Sequence, residues 1–187
     1  MHGTKTPSSW VRRWAHLIRP DGTVLDLACG SGRHLRWLAA QGFAVTGVDR
    51  DAEALEPLRA AGEIVVADLE GGPWPLPGRR FDAVIVTNYL WRPLFPAIRA
   101  ALAEGGVWIH ETFAAGNESV GRPARPDFLL QRGELLRAAE GLRVVAYEDG
   151  FLDNPERFVQ RIVAVAEGPS GAEPARYPLS GAHGARG

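Results

Sequence analysis

The sequence predicts an α/β fold in which helices cover both faces of a doubly wound, seven-stranded, mostly parallel sheet. Short apolar runs alternate with stretches of helical periodicity, which is the pattern of buried parallel strands and their crossover helices. Glycines follow several of the predicted helices, where they favour helix termination. The last two apolar runs lack a helix between them, so we expect an antiparallel strand at the C-terminal edge of the sheet.

The predicted elements follow one another in a regular order. Ser8 or Ser9 is positioned to cap an N-terminal helix over about residues 8–18. The predicted parallel strands cover 23–29, 43–48, 63–67, 81–87 and 107–112. Helices are predicted over 33–41, 51–61 and 93–102, and a Pro/Gly-rich loop covers 71–78.

The pattern changes after residue 113. A long loop rich in Gly, Pro and Arg covers 114–127, and a helix is predicted over 131–140. Two β-like runs follow at 142–147 and 157–166, separated by a connection too short for a helical crossover. We therefore expect one domain over residues 1–167 and a flexible C-terminal tail over 168–187, which is polar and not periodic.

Composition excludes several classes of protein. The chain has 187 residues and a formal net charge of −1, which gives no electrostatic basis for binding nucleic acid or a membrane surface. Cys29 is the only cysteine, so an intrachain disulfide and a cysteine zinc site are both excluded. We find no apolar stretch of membrane-spanning length and no signal peptide, and we expect a cytoplasmic monomer or homodimer without a metal.

A polar residue lies at or near the end of each predicted parallel strand. The carboxyl ends of parallel strands share one edge of the sheet, and open α/β sheets bind ligands beyond that edge. The sequence therefore predicts a ligand site built from Asp26, Asp49, Asp68, Asn88 and Glu111.

The first strand–helix turn indicates which ligand binds there. Gly30 and Gly32 lie where the backbone must approach a ligand closely, but Leu35 occupies the third glycine position of a dinucleotide fingerprint. Asp26 would also repel a phosphate group at the helix N-terminus, whereas a carboxylate suits a cationic ammonium. These features favour S-adenosyl-L-methionine over a nicotinamide dinucleotide.

Five segments resemble the motifs of class I S-adenosylmethionine-dependent methyltransferases, in the same order along the chain. They are motif I at Val24–Gly32, the ribose-binding strand end at Val48-Asp49 with Arg50, the adenine-contacting Ala67-Asp68-Leu69, the start of motif IV at Phe81–Val84, and the turn at Leu102–Gly106. The resemblance implies a Rossmann-like fold and S-adenosylmethionine as cofactor. It implies a cofactor site formed by Asp26, Ala28, Gly30, Gly32, Asp49, Arg50, Asp68, Leu69 and Asn88.

The resemblance also implies individual roles. Asp26 would bind the methionine ammonium, Asp49 the two ribose hydroxyls and Asp68 the adenine amino group. The alternative for Asp26 is an ordinary strand-end acid that pairs with Arg33 or Arg36.

Two further segments, Asn88–Leu94 and Glu111–Glu118, resemble a bacterial small-molecule group similar to the tellurite-resistance methyltransferases. Glu111, Asn88 and Tyr89 are the predicted catalytic residues, with Glu111 orienting the acceptor or acting as a base. Its alternative is a structural strand-end acid. Arg92, Asn117 and Arg122 are candidates for either the acceptor pocket or surface loops, and 116–127 is a candidate lid.

The predicted function is transfer of a methyl group to a small-molecule acceptor by in-line displacement. Two alternatives stay open at this point. The chain could be a cofactor-binding module or partner subunit without transfer activity, or, less in keeping with Leu35 and Asp26, a nicotinamide-dependent oxidoreductase.

Overall fold

A computed structural model describes residues 6–168 and 175–180. Its seven strands form one sheet in the order β3-β2-β1-β4-β5-β7-β6. The strands are β1 (Thr23–Leu27), β2 (Ala44–Asp49), β3 (Glu63–Val66), β4 (Phe81–Thr87), β5 (Leu102–Phe113), β6 (Arg143–Asp153) and β7 (Glu156–Val165). The α-helices are α1 (Ser9–Trp14), α2 (Arg33–Ala40), α3 (Ala52–Leu55), α4 (Phe95–Ala100) and α5 (Glu134–Ala138).

The predicted fold class is confirmed. Strands β1 to β5 pair in parallel, and β7 pairs antiparallel with both β5 and β6. The antiparallel C-terminal strand lies one place in from the edge of the sheet, and β6 forms the edge itself.

Two elements differ from the sequence prediction. Strand β5 begins at Leu102 and not at residue 107, because a register irregularity opposite Phe81 and Ala83 lets the strand continue through the glycine pair that resembles a turn. The predicted connection over residues 148–156 between the last two strands is wrong, since β6 and β7 extend until only Asn154 and Pro155 separate them. Residues 148–151 of β6 are exposed at the sheet edge, so they lack the apolar alternation that predicts a strand.

Three of the helices are shorter than the periodicity predicts, because single 3-10 turns replace part of each. Such turns continue α1 over Ala15–Leu17, continue α3 over Glu56–Leu58, and precede α4 over Arg92–Leu94. The Ser8 hydroxyl accepts a hydrogen bond from the Trp10 N–H and caps α1.

Apolar layers cover both faces of the sheet. One layer packs Trp10, Trp14 and Leu35 against one face, and the other packs Trp108, Ile98 and Leu135 against the opposite face. Strand β4 is buried along its whole length between them. A ligand can therefore reach β4 only beyond its ends.

The predicted tail lies mostly outside the described residues. Within the described part, the Tyr177 hydroxyl donates to Glu167 Oε1 at 3.1 Å, and a ring nitrogen of His16 lies 2.9 Å from the Pro178 carbonyl oxygen. None of the helices in the described ranges is both long and apolar enough to cross a membrane.

Candidate cofactor and acceptor site

A cavity of about 310 Å³ opens at the carboxyl ends of β1 to β4. We call it the first cavity. Six of the nine residues predicted to bind the cofactor line it, as do Tyr89, Ala67 of the adenine-contacting motif, and Glu70, which the motifs did not include. Its lining consists of Ala28, Asp49, Arg50, Ala67, Asp68, Leu69, Glu70, Asn88 and Tyr89.

The turn between β1 and α2 forms one wall of the first cavity. Ala28, Gly30 and Gly32 all have positive φ angles, of 52°, 53° and 72°. A Cβ atom on Gly30 would meet nothing within 4 Å, whereas one on Gly32 would collide with the Leu58 side chain. Gly30 therefore leaves space in front of the turn, while Gly32 allows the turn to pack against the domain.

The backbone holds the Asp49 carboxylate in place at the end of β2. Oδ2 accepts a hydrogen bond of 2.8 Å from the Gly30 N–H, and Oδ1 accepts one of 3.1 Å from the Asp51 N–H. Each carboxylate oxygen has a second lone pair, so both retain capacity to accept further hydrogen bonds.

Asp68 is held in the same way at the next strand end. Its Oδ1 accepts a hydrogen bond of 3.0 Å from the Glu70 N–H. Backbone N–H groups of Glu70 and Gly71 hold the pKa of the Asp68 carboxyl below its usual value. Asp68 is therefore ionised near neutral pH and keeps a fixed orientation at an exposed position.

A second cavity, of about 200 Å³, adjoins the first at the ends of β4 and β5. The two share three wall residues, Glu70, Asn88 and Tyr89. The remaining walls come from strand β5, from the segment after β4 and from the loop after β5. The lining of this second cavity is completed by Leu90, Thr112, Phe113, Pro123 and Phe128.

The shared wall is held by neighbouring strands. Asn88 has a φ angle of 54°, and its N–H donates to the Glu111 carbonyl oxygen at 2.9 Å. Burial, and then the neighbouring Glu70 carboxylate, raise the pKa of Tyr89 above its usual value of 10. The Tyr89 hydroxyl is consequently protonated at neutral pH.

Arg92 and Asn117, two acceptor-pocket candidates, fix the loop after β5 and do not line either cavity. Arg92 binds Glu134 through two hydrogen bonds of 2.6 and 3.1 Å, and also donates to the carbonyl oxygens of Asp127 and Leu129. The buried Asn117 donates to the Pro123 carbonyl oxygen at 3.0 Å. Arg122 lies exposed in the same loop.

Asp26 is buried beneath the β1–α2 turn and does not line either cavity. It is 1% exposed, and its Oδ2 has no hydrogen-bond partner among the described residues. Burial raises its pKa to about 7, against the opposing effects of the Leu35 backbone N–H and the Arg33 charge. Its predicted direct contact with the methionine ammonium stays a prediction.

Glu111 also lies away from both cavities. Its Oε1 accepts a hydrogen bond of 3.0 Å from the Ser8 hydroxyl, and its Oε2 lies 3.1 Å from Arg161 Nε. The Arg157 guanidinium lies 3.9 Å from Oε1. Glu111 is 1% exposed. Its carboxylate therefore has no direct contact with an acceptor in either cavity, and its predicted role there stays a prediction.

Two histidines lie near these groups. His34 Nε2 accepts a hydrogen bond from the Ser8 N–H, and burial followed by the Arg33 charge lowers its pKa to about 3. His110 faces the opposite side of the sheet from Glu111, with Nε2 3.2 Å from the Tyr89 carbonyl oxygen, and burial lowers its pKa to about 4. Both rings are therefore neutral at pH 7. No group of three or more His, Cys, Asp or Glu side chains within the described ranges could hold a metal ion.

Comparison with known families relates this geometry to an enzyme class. Residues 24–106 match the protein-family model described as "Methyltransferase domain". The chain has the class I methyltransferase fold. The matched segment includes β1 except its first residue, β2 to β4, the β1–α2 turn and every residue that lines the first cavity.

Solved methyltransferase structures share this fold. TehB from Haemophilus influenzae is 20% identical with a TM-score of 0.72, over 89% of this chain and 64% of that one. This chain therefore spans less than two thirds of the length of that protein. A TehB-like SAM-dependent methyltransferase from Corynebacterium glutamicum is 23% identical with a TM-score of 0.59, over 80% of this chain and 85% of that one.

A SAM-dependent methyltransferase from Methanosarcina mazei is 15% identical with a TM-score of 0.66, over 87% of this chain and 99% of that one. Comparison with curated protein sequences gave no match. The predicted resemblance to the class I and tellurite-resistance methyltransferases is confirmed, and the matched domain model and the fold agree with S-adenosylmethionine as cofactor.

Proposed function

We propose that this chain transfers the methyl group of S-adenosylmethionine to a small-molecule acceptor. The observation that carries the proposal is the pair of adjoining cavities that share Glu70, Asn88 and Tyr89. The first cavity, of about 310 Å³, is within the range of small-molecule sites, and the smaller second cavity suits a compact acceptor. A shared wall lets two ligands meet.

The residues of the first cavity fit the chemistry of the cofactor. Asp49 at the end of β2 can accept hydrogen bonds from a ribose diol, and Asp68 can accept one from an adenine amino group. Leu69 is 8% exposed and supplies an apolar surface. The carboxylates outnumber the single Arg50 guanidinium in this lining, which favours a cationic ligand over a phosphate.

The open space in front of Gly30 supports the same assignment. A ligand can lie directly against the backbone there, since no side chain of the described residues comes within 4 Å of a Cβ built on this glycine. Asp26 lies beneath the turn with one unpartnered oxygen, where we propose that it orients the turn through the Leu35 N–H.

We propose that catalysis consists mainly of positioning. The cofactor supplies a methyl group on a sulfonium, and transfer requires the acceptor atom about 3–3.5 Å from the methyl carbon on the sulfur–carbon axis. Asn88 and Tyr89 would hold the two ligands in that geometry, because each lines both cavities. Glu111 would contribute through its backbone, since its carbonyl oxygen fixes the Asn88 N–H.

Calorimetric titration with S-adenosylhomocysteine tests the cofactor assignment. We expect wild-type protein to bind it, and Asp49→Ala to bind about 10- to 150-fold more weakly, the effect of losing hydrogen bonds to a charged group. The exposed Glu140→Gln variant, at the far end of α5, should bind as the wild type does. Binding of NADH in place of S-adenosylhomocysteine would instead support the oxidoreductase alternative.

Turnover distinguishes an enzyme from a cofactor-binding module. We expect S-adenosylhomocysteine to form only when an acceptor is added to protein that contains S-adenosylmethionine. Protein that binds the cofactor, retains its fold and binds acceptors but never releases this product would contradict the transfer step.

A further inference from the structure

The second cavity has a compact, mainly apolar interior. Leu90 is 4% exposed, while Phe128 is 36% exposed and lies at the solvent side of the cavity. Phe113 and Pro123 complete the apolar part of the lining. Its volume of about 200 Å³ lies below the range of drug-sized sites, so it suits an apolar body of about one ring.

The charge of this cavity is acidic. Glu70 is the only ionisable carboxylate in its lining, and no Lys, Arg or His from the described ranges contributes to that lining. Of the arginines around the loop, Arg92 pairs with Glu134 at 2.6 Å, Arg125 pairs with Asp127 at 2.9 Å, and Arg122 is exposed to solvent. The one cation in the two linings, Arg50, belongs to the first cavity, so an anion in the second cavity would have Glu70 as the only charged residue of its lining.

Two hydroxyl groups complete the polar part of the lining. Tyr89 lies beside the Glu70 carboxylate, and Thr112 is 1% exposed at the end of β5. A hydroxyl can donate one hydrogen bond and accept others, whereas the carboxylate only accepts. The strongest polar interaction available to an acceptor is thus a hydrogen bond that its N–H or ammonium group donates to the Glu70 carboxylate.

On these observations, and resting on the proposed methyl transfer, we infer that the acceptor is a small amine carried on an apolar body and held by Glu70. The apolar body occupies the space beside Leu90 and Phe128. The nitrogen lies at the wall shared with the first cavity, which is the side from which the methyl group is delivered.

The reaction balances with the groups present. The amine loses its extra proton to solvent or to Glu70, and its lone pair then forms the bond to the methyl carbon. The carbon–sulfur bond breaks, and its electron pair stays on sulfur, giving the neutral thioether product. The N-methylated ammonium can then lose one proton to solvent, so no oxidant, reductant or metal is required.

Matched acceptors test the inference on the full chain. We would measure binding to the S-adenosylhomocysteine complex by calorimetry, and methylated product by mass spectrometry, for benzylamine, benzyl alcohol, benzoate and tellurite. We expect kcat/KM for benzylamine to exceed that for benzoate and tellurite at least tenfold. Glu70→Gln should lower kcat/KM for benzylamine at least tenfold more than it lowers kcat/KM for benzyl alcohol. Glu140→Gln should change neither value.

Three results would overturn the inference. These are preferential methylation of benzoate or tellurite, an unchanged kcat/KM for benzylamine in a folded Glu70→Gln variant, and no binding of benzylamine to the S-adenosylhomocysteine complex. Failure of the wild type to bind S-adenosylhomocysteine at all would refute the proposed function itself. Titration with S-adenosylhomocysteine therefore distinguishes failure of the amine inference from failure of the proposed function.

Discussion

Two pairs of acidic residues occupy the same edge of the sheet in opposite environments. Asp49 and Asp68, at the ends of β2 and β3, line an open cavity and are held by backbone N–H groups. Asp26 and Glu111, on β1 and β5, are each 1% exposed. The second pair lies beneath the β1–α2 turn and the N-terminal segment, where side chains of Ser8 and Arg161 contact Glu111.

The type of partner explains why Asp49 and Asp68 are accessible and Glu111 is not, whereas Asp26 is buried although its hydrogen-bond donor is also a backbone N–H. A backbone N–H takes one lone pair of a carboxylate oxygen and leaves the rest for a ligand. Burial against arginine removes the carboxylate from water, at a cost that only complete pairing offsets. Strand-end position therefore predicts where an acid lies along the sheet, but its partners decide whether it binds a ligand or stabilises the fold.

The largest expected effect is on stability at Glu111. Glu111→Ala leaves the 9%-exposed Arg161 side chain without its buried partner, and we expect a loss of about 3–5 kcal/mol in the free energy of unfolding. Urea denaturation would measure it. The matched variant Glu148→Ala removes the exposed partner of the same arginine and should cost under about 1 kcal/mol. The double variant Glu111→Leu/Arg161→Leu should recover much of the loss.

A contrary result at Glu111 would restore its predicted catalytic role. If Glu111→Gln unfolds like the wild type but loses about 100-fold or more in turnover, with the loss smallest for acceptors that need no deprotonation, the side chain acts as a base.

The second prediction concerns the pH dependence of stability through Asp26. Its folded pKa, about 7, is raised above the usual 3.8, so its contribution is greatest below pH 4 and is lost as pH rises toward 7. Asp26→Asn removes this dependence. Between pH 4 and 8, the free energy of unfolding of the wild type should fall by about 2–4 kcal/mol more than that of the variant. Parallel profiles for the two proteins would show that Asp26 ionises normally.

A smaller effect is expected at Arg92, which fixes one wall of the second cavity. Arg92→Ala removes its contacts with Glu134 and two loop carbonyl groups, and we expect the acceptor KM to rise about tenfold with cofactor affinity within twofold. Arg125→Ala provides the control, because its ion pair with Asp127 is exposed. Equal effects of the two variants would mean that Arg92 does not position the wall.

The smallest effect should follow from Asp68→Asn. The position is exposed, and the amide oxygen can still accept a hydrogen bond, so we expect S-adenosylhomocysteine affinity to fall less than about fivefold. Calorimetry at low and high salt should show the difference from wild type shrinking as salt is added. A loss as large as that of Asp49→Ala would place Asp68 among the main determinants of binding.

Much of the fold is predictable because its central strands are mostly apolar. Val24–Leu27 and Phe81–Thr87 are buried on both faces, so their sequence alone indicates parallel strands. The edge strand β6 is only partly predictable, because residues 148–151 face solvent and carry no alternating pattern. The extension of β5 through Gly105 and Gly106 is accompanied by backbone hydrogen bonds of both glycines with Ala166, just after β7, and such a distant contact is not encoded in local sequence.

Some residues of the site are likewise predictable from the sequence, and the environment of others is not. Asp49, Asp68 and Asn88 are predictable because strand length fixes the edge at which they lie, and Glu70 and Thr112 could have been found as neighbours of that edge. The burial of Glu111 depends on Ser8, which is 103 positions away in sequence, and on Arg161 across the β5–β7 pair. Contacts over such separations leave no local signal.

The insertion of β7 between β5 and β6 has a consequence for synthesis of the chain. Glu156–Val165 pairs with strands on both sides, so β5 lacks its second neighbour and β6 lacks any partner until these last residues of the sheet have been made. At about 5–20 residues per second, a nascent chain that ends at Asp153 waits on the order of a second with an unpaired edge along Val107–Phe113. Truncation before Glu156 would make that edge permanent and create a template for aggregation.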